Sequence, residues 1–391
     1  MTTIGAHGYD AIVVGGGIVG AACAEALARR ALSVLVLDAR LGGATAAGMG
    51  HLVTLDDNDA ELALTRHSIA RWREWSAELD GDCAFRGNGT LWVAANDAEL
   101  AAAEAKCARL QALGEAAEML DARALAEAEP ALRPGLAGAL SLSGDGIVYP
   151  PNVVRWLLGR HPRRLTERIA RVVEIDGRGV VLADGERLAA GIVVLANGIE
   201  AASLCPELPI QPKKGHLAIT DRYPGLLTHT VTELGYLSSV HQSDGPSVAF
   251  NVQPRPTGQL FIGTSRQFGS RDLAVDGPVL ARMLAHASSF LPVLAELNII
   301  RCWTGLRAAS PDSLPLIGRH PGRNGLWLAV GHEGLGVTAA PATAELLMAA
   351  IFDEPPPIPS LPYAPERFPG VVDEPVGRMA RQQLGRWMGE S

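Results

Sequence analysis

The sequence predicts an α/β protein in which a doubly wound parallel sheet is interleaved with a second, α+β lobe whose own sheet is mixed or antiparallel. Three observations predict it. A strand, a glycine turn, a helix and a second strand ending in an acid succeed one another between Asp10 and Asp38. Wholly apolar runs, the mark of strands buried on both faces, recur at residues 191–196 and 325–331. Between them, residues 216–269 read as strands and loops without a helical period.

The first unit reads Asp10-Ala-Ile-Val-Val-Gly15-Gly-Gly17-Ile18-Val19-Gly20. Eighteen residues past Gly20, a second apolar run, Ser33-Val-Leu-Val-Leu, stops at Asp38. Each part has a physical task in a Rossmann-like dinucleotide site. Gly15 makes the tight turn, Gly17 lets the backbone approach a pyrophosphate, and Gly20 lets the helix press on the strand. The phosphate charge then sits at a helix N-terminus. Asp38 is placed to accept hydrogen bonds from an adenosine ribose, and no arginine stands there to favour a 2′-phosphate.

At 391 residues the chain exceeds the size of one hydrophobic core, so two lobes are expected. Hydrophobic residues make up 48% and charged ones 19%, with no apolar run long enough for a bilayer, which predicts a soluble globular protein. Residues 1–9 carry neither a basic cluster nor an apolar h-region, so the expectation is a cytoplasmic protein without a cleaved signal peptide. Cys23, Cys83, Cys107, Cys205 and Cys302 lack any CxxC spacing, which argues against a disulfide framework or a zinc site and for buried thiols. A net charge of −8 opposes nucleic-acid binding and leaves small molecules as the expected partners.

Along the chain, residues 59–79 predict a helix carrying Trp72 and Trp75. Residues 85–95 predict a hairpin centred on Gly87-Asn88-Gly89, and residues 97–129 a helical surface excursion broken by Gly114. Three short strands follow at 172–175, 179–182 and 191–196, the last ending in Ala196-Asn197-Gly198, where open α/β sheets place a ligand. Residues 273–297 read as helix. The strand at 325–331 leads through a glycine-rich turn to a helix expected from about Pro341 to Phe352. From Pro355 onward a terminal extension is expected. Within it, residues 378–387 read as a solvated tail or as a short basic amphipathic helix peripheral to an inner membrane.

Three segments together resemble the D-amino-acid oxidase superfamily of flavoproteins, which includes glycine oxidase, sarcosine oxidase and D-amino-acid dehydrogenases. They are residues 10–38, the loop Gly43-Ala-Thr45-Ala46-Ala47-Gly48-Met49-Gly-His51, and a C-terminal block. That block comprises Cys302-Trp-Thr-Gly305-Leu-Arg307, Pro311-Asp-Ser-Leu-Pro-Leu-Ile-Gly318 and Gly331-His332-Glu333-Gly334-Leu335-Gly336. Gly48-Met-Gly-His-Leu, Gly89-Thr-Leu-Trp and Gln253-Pro-Arg-Pro-Thr-Gly-Gln are similar to the branch acting on D-hydroxyproline and D-proline.

The resemblance implies an FAD-binding domain of the glutathione-reductase type over residues 1–86, 143–212 and 300–370. A substrate domain over 87–142 and 213–299 and a tail over 371–391 complete the division. It implies non-covalent FAD contacted by Gly15, Gly17, Ile18, Val19, Gly20, Asp38, Ala39, Arg40, Thr45, Ala46, Ala47, Gly48 and His51. From later in the chain come Val172, Val173, Ala196, Asn197, Gly198, Gly305 and Gly331, His332, Glu333, Gly334, Leu335, Gly336, Val337. Cys302 is not expected to tether the flavin.

The implied reaction is oxidation of the C–N bond of a small D-amino or imino acid, with hydride passing to the flavin and electrons onward to O2 or a respiratory carrier. Such chemistry needs orientation and a carboxylate anchor more than an acid or base. Arg307 stands at the family's substrate-binding arginine, and a guanidinium grips a carboxylate bidentately. Met49, His51 and His216 are further expected pocket residues, and the backbone amides of residues 334–337 are expected to face the flavin's N1 and O2. Glycine oxidase-like members carry a second arginine after the Gly-His pair; Gly334 stands here instead, which argues against glycine and for a larger ring. The alternatives are a glycine or sarcosine oxidase, a flavin-binding subunit of a multi-subunit dehydrogenase, and an NAD sensor.

Overall fold

Apolar runs become central strands only where both of their faces find cover, and the chain supplies that cover from segments far apart in sequence. The computed structural model describes residues 8–54, 57–235 and 246–372. In chain order its strands are β1 (Gly8–Val14), β2 (Val34–Asp38), β3 (His51–Leu52), β4 (Thr90–Ala94), β5 (Ala117–Asp121), β6 (Gly138–Leu142), β7 (Gly146–Ile147), β8 (Leu165–Ile169) and β9 (Val172–Ile175). They continue as β10 (Gly179–Leu182), β11 (Arg187–Leu195), β12 (Gln211–Arg222), β13 (Thr230–Glu233), β14 (Ser247–Pro254), β15 (Gln259–Phe268), β16 (Ile299–Ala309), β17 (Leu316–Arg319) and β18 (Leu326–Val330).

The first sheet runs β17-β18-β11-β1-β2-β8, with β10 and β9 attached through β11, and β18, β11, β1, β2 and β8 are parallel. Ala11, Val13, Val34, Val36 and Val194 face the helices Ile18–Arg29, Asp59–Ser76, Pro150–Gly159 and Gly336–Phe352. Ile12, Val14, Leu35, Leu37 and Leu195 face the opposite way, against β9, β10 and residues 201–210. Each such side chain contributes about 1.5–3 kcal/mol by burial. Gly20 shows why the helix Ile18–Arg29 can lie so close to its strand: a Cβ there would stand 1.9 Å from the Gly15 carbonyl oxygen.

The second sheet runs β16-β12-β15-β14-β13-β4-β6-β5. Here the sequence reading needs correction. The hairpin expected at residues 85–95 is absent: all five residues of β4 are buried, and it pairs instead with β6 and, in parallel, with β13. A strand buried on every side requires a partner at each edge, which one adjacent hairpin arm cannot supply. Residues 97–129 are not a broken helix but the helix Asp97–Ala112, the strand β5 and the helix Ala122–Ala128. The helix-favouring composition of β5, Ala-Glu-Met-Leu-Asp, yields to its pairing with β6. The segment is no surface excursion either, because Ala103, Cys107 and Leu110 pack against Trp92 and Leu140. β16 hydrogen-bonds to β12 along its length, so residues 299–309 stand in this second sheet.

The last helix begins at Gly336, five residues before the expected start, and holds Pro341 in its interior. Residues 355–372, expected as an extension, lie back over the first lobe. Tyr363 is 1% exposed and donates to the Ala60 carbonyl at 2.6 Å, Arg367 pairs with Asp312 at 2.7 Å, and Val371 is buried. The basic segment at 378–387 lies outside the described residues. Among the described residues no helix is long and apolar enough to cross a membrane, and all five cysteines are free, four of them buried.

One buried acid sets a pH dependence. Asp145, between β6 and β7, is 1% exposed and accepts from the Thr54 amide at 2.9 Å. Burial pushes its carboxyl up to about 7, with hydrogen bonding from Thr90 and Thr54 opposing and Glu115 adding to the rise. The unfolded chain releases this proton near pH 4 and the folded chain holds it to about pH 7, so stability falls as pH rises across that window. Asp145→Asn therefore flattens the fall, by on the order of a few kcal/mol, in thermal unfolding compared at pH 5 and pH 8. Gly20→Ala, whose new methyl meets the Gly15 carbonyl, costs at least about 2 kcal/mol in the same assay.

Candidate active site

Where the parallel strands end, the concave face of the second sheet closes over them, and a cavity of about 1450 Å³ lies between. That exceeds the roughly 300–1,000 Å³ usual for one drug-sized ligand, enough for a dinucleotide and a small molecule together. Its first wall is the carboxyl edge of the parallel sheet. Gly15, Gly17, Ile18 and Val19 line it from the turn after β1, Asp38, Ala39 and Arg40 from the end of β2, and Ala196, Asn197 and Gly198 from the end of β11. Gly331, His332, Glu333, Gly334, Leu335, Gly336 and Val337 line it after β18.

The turn after β1 is an anion cradle in its construction. A Cβ on Gly15, whose φ is +107°, would fall 2.6 Å from the Ala196 carbonyl oxygen, and one on Gly17 would meet Thr45 Oγ1 at 3.0 Å. The helix Ile18–Arg29 receives no cap from its own N-cap residue, Gly17, and has no acid in its first turn, while its Ile18 amide donates to Thr45 Oγ1 at 3.0 Å. The helix Gly336–Phe352 likewise receives no side-chain cap from its N-cap residue, Leu335. Asp38 accepts from the Gly16 amide through Oδ2 and from the Arg40 amide through Oδ1, each at 2.6 Å. These residues fit a dinucleotide.

Thr45, Ala46, Ala47, Gly48, Met49 and His51 cross the cavity between the two sheets. Gly305 faces Ala47 so closely that a Cβ there would stand 2.6 Å from the alanine's own. Met49 is held over Gly263, whose added Cβ would meet Sδ at 2.9 Å, and Arg255 fixes the loop by donating to the Met49 and Val148 carbonyls at 3.1 and 2.9 Å. His51 Nε2 lies 2.8 Å from Thr90 Oγ1, and burial lowers the imidazole to about 3, so it is neutral. His332 is likewise lowered to about 3 by burial and meets Thr343 Oγ1 at 2.9 Å.

Arg307 enters from β16. Its guanidinium donates to the Ser265 carbonyl at 3.1 Å and to Thr264 Oγ1 at 2.6 Å. It lies close over Gly215, where an added Cβ would stand 2.8 Å from Nη1 and would have to displace the guanidinium. Gly334 stands beside it, with an added Cβ 3.7 Å from Nε. Nearby, Lys213 Nζ meets Glu333 Oε1 at 2.5 Å. Burial acts to raise the Glu333 carboxyl, but Lys213, Arg266 and Arg307 outweigh it and hold the group below its usual range.

Four expectations change. His216 does not line the cavity: it points away from the face that Gly215 and Leu217 present, and is fully buried. Its Nε2 accepts from the Asp276 amide at 2.9 Å, so Nδ1 carries the proton and donates to Ser265 Oγ at 2.8 Å. Gly20 lies behind the wall as a packing residue, and Val173 is 49% exposed on the outer side of β9 while Val172 lines the cavity. The Leu335 amide is committed to the His332 carbonyl at 2.9 Å, which removes it from the expected set of amides.

Sequence reasoning missed the floor that the second sheet provides. Trp92, Thr232, Asn251, Gln253, Thr264 and Arg266 all line the cavity from successive strands. A signal was present: in β14, polar Asn251 and Gln253 alternate with Phe250 and Val252, which are 0% exposed. Cys302 is not among the lining residues and packs toward the opposite core. Elsewhere, Cys205, Glu207 and His320 bring potential ligand atoms within 4.8 Å. The bonding there opposes a cation: His320 Nδ1 accepts from the Gly322 amide, so Nε2 carries the proton toward Glu207, which also pairs with Arg323 at 2.8 Å.

Comparison with known proteins agrees with this geometry. Residues 10–350 match the family model DAO, described as FAD dependent oxidoreductase. The glycine oxidase of Pseudomonas putida is 30% identical over 378 residues, covering 91% of this chain and 98% of that protein. The hydrogen cyanide synthase subunit HcnC of Pseudomonas aeruginosa is 27% identical, covering 92% and 96%. The crystal structure of glycine oxidase from Geobacillus kaustophilus superimposes with a TM-score of 0.82 at 25% identity, covering 95% of this chain and all of that one. A cavity walled by two helix N-termini and glycine-rich turns, together with a family match across most of the chain, makes this protein a member of the DAO family of FAD-dependent oxidoreductases.

Proposed function

We propose that the protein oxidises the C–N bond of a small D-amino or imino acid, of the D-hydroxyproline and D-proline kind, to the imine, which water then hydrolyses or which cyclises. The observation that carries this reading is Arg307: a guanidinium set close against Gly215 and held by Thr264 and Ser265 inside the cavity. It holds the substrate carboxylate by charge and by paired N–H donors. FAD bound there would supply the two-electron acceptor for the α-hydrogen.

The chain's own residues orient and shield. Gly15 and Gly17 would bring backbone to the pyrophosphate, Asp38 would receive the ribose hydroxyls, and the amides of Gly334, Gly336 and Val337 would offer hydrogen bonds to the flavin. Met49, Leu217 and Trp92 give apolar wall to the substrate side. His51, neutral at working pH, is an acceptor for the substrate amine. Gly334 beside Arg307 leaves room for a ring where glycine oxidase-like chains place a second arginine. FAD is held without a covalent bond, since Cys302 faces the core of the second lobe.

A second reading, a flavin-binding component of a larger dehydrogenase, is favoured by the match to a hydrogen cyanide synthase subunit; the match to glycine oxidase favours glycine or sarcosine as substrate. Anaerobic flavin bleaching separates the three. D-proline or a hydroxy-D-proline bleaches the holoenzyme under the leading reading, glycine or sarcosine under the last, and none of them under the subunit reading. Arg307→Leu raises KM for the bleaching substrate by about 100-fold or more while flavin content holds, and an unaltered KM refutes the anchor. Acid precipitation releases the yellow colour into the supernatant; colour kept in the pellet refutes non-covalent attachment.

A further inference from the structure

Gln253 is 0% exposed, lines the cavity, and finds no protein partner for either Nε2 or Oε1. Because both ends of the amide are unmet, the finding is the same whichever way the amide is turned. Two residues earlier on the same face of β14, Asn251 also lines the cavity, and its buried Oδ1 has no protein partner. Buried amides left so are uncommon, and each lost bond costs about 1–3 kcal/mol. The remaining face of the strand is core, with Phe250 and Val252 fully buried, so neither amide serves packing on that side.

The placement relative to Arg307 matters. The guanidinium reaches β15 at Thr264, next to Gly263, and Gly263 is the register partner of Asn251 on the neighbouring strand. Asn251 is thus about one strand spacing, ~5 Å, from the residue that holds the cation, comparable to the span between the carboxylate and a ring hydroxyl of a five-membered imino acid, while Gln253, paired with Phe261, stands two residues farther along the strand and reaches in with a longer side chain.

The chemistry of the unmet atoms selects the ligand group. A hydroxyl has one donor and two acceptor positions: it takes a hydrogen bond from Gln253 Nε2 and gives one to Asn251 Oδ1 or Gln253 Oε1. A carboxylate would serve Nε2 alone and set its charge against two carbonyl oxygens. A methylene would serve none of them. We propose that Gln253 and Asn251 are the specificity-determining residues of the pocket and bind a hydroxyl on the ring of the substrate whose carboxylate Arg307 holds. The proposal rests on the D-imino-acid reading above and adds that the hydroxylated substrate is preferred over the plain one.

The test compares kcat/KM of the holoenzyme for cis- and trans-4-hydroxy-D-proline with that for D-proline. One hydroxylated isomer is favoured by at least about 30-fold, and Gln253→Met, which matches the side chain in length without its hydrogen bonds, brings that ratio near one. Flavin content and Tm report whether the variant is intact. A wild-type ratio near one overturns the proposal, as does a ratio that survives in an intact Gln253→Met.

A second measurement needs neither turnover nor a variant. Tetrahydrofuran-2-carboxylate and its 4-hydroxy derivative, which lack the oxidisable amine, are titrated against the wild-type flavin spectrum. The hydroxylated ligand binds at least about tenfold more tightly under the proposal, and equal affinities refute it. Should no imino acid bleach the flavin, the functional reading falls while this pair still decides the role of Gln253.

Discussion

The site depends on backbone packed directly against backbone at the carboxyl edge of the parallel sheet. Added Cβ atoms on Gly15, Gly20, Gly50 and Gly305 would lie 2.6, 1.9, 2.1 and 2.6 Å from their nearest neighbours, and every one of these contacts joins segments that meet around the cavity. Protein interiors relax only partly around such intrusions. The four glycines therefore fix how near the helix Ile18–Arg29, the end of β11, the crossing loop and β16 come to one another. That nearness brings a helix N-terminus and a guanidinium to opposite sides of one cavity.

Within that frame the charges are fixed rather than titrating. His51 and His332 are kept neutral by burial, and His216, also lowered by burial, is locked outside the wall in a defined tautomer. The ionised groups around the substrate side are cations, Lys213, Arg266 and Arg307, balanced in part by Glu333. A pocket so composed presents a steady positive field to an anionic ligand across the neutral range. It leaves the redox work to a cofactor, the division of labour expected of a flavoprotein.

The parallel sheet and the dinucleotide cradle were legible in the sequence because their requirements are local. Gly15, Gly17 and Gly20 answer to φ and to close approach, and the carboxyl-terminal halves of β1 and β11, with β2 up to Asp38 and β18, are apolar because both faces are covered. The second sheet was legible only in outline. β5 carries helix-forming residues and becomes a strand through a partner found at residues 138–142, and β4 takes its neighbours from residues 138–142 and 230–233. His216 was misplaced for a related reason. A single residue of error in strand phase carries a side chain from the cavity to the core, and the pairing of β12 with β16 and β15, which sets that phase, is not visible locally. The polar alternation of Asn251 and Gln253 was visible but has no local meaning until the other face of β14 is known to be core.

Residues 44–51 carry the coupling between the lobes. A loop that crosses a buried cavity must satisfy its backbone polar groups without water, and here the partners come from both lobes. Trp303 donates to the Ala47 carbonyl at 2.9 Å and Arg255 to that of Met49, while Thr338 from the last helix donates to that of His51 at 3.0 Å. Arg255 is the costly member, since burial lowers its guanidinium to about 10, yet it stays protonated at neutral pH and its planar fork spans two carbonyls at once. A lysine could reach one of them. The guanidinium thus acts through geometry: with Trp303 it sets where Ala47, Met49 and His51 sit between the flavin-side turns and the polar floor of β14, so the register of the substrate sheet is transmitted to the cofactor side by side chains of that sheet and its turn.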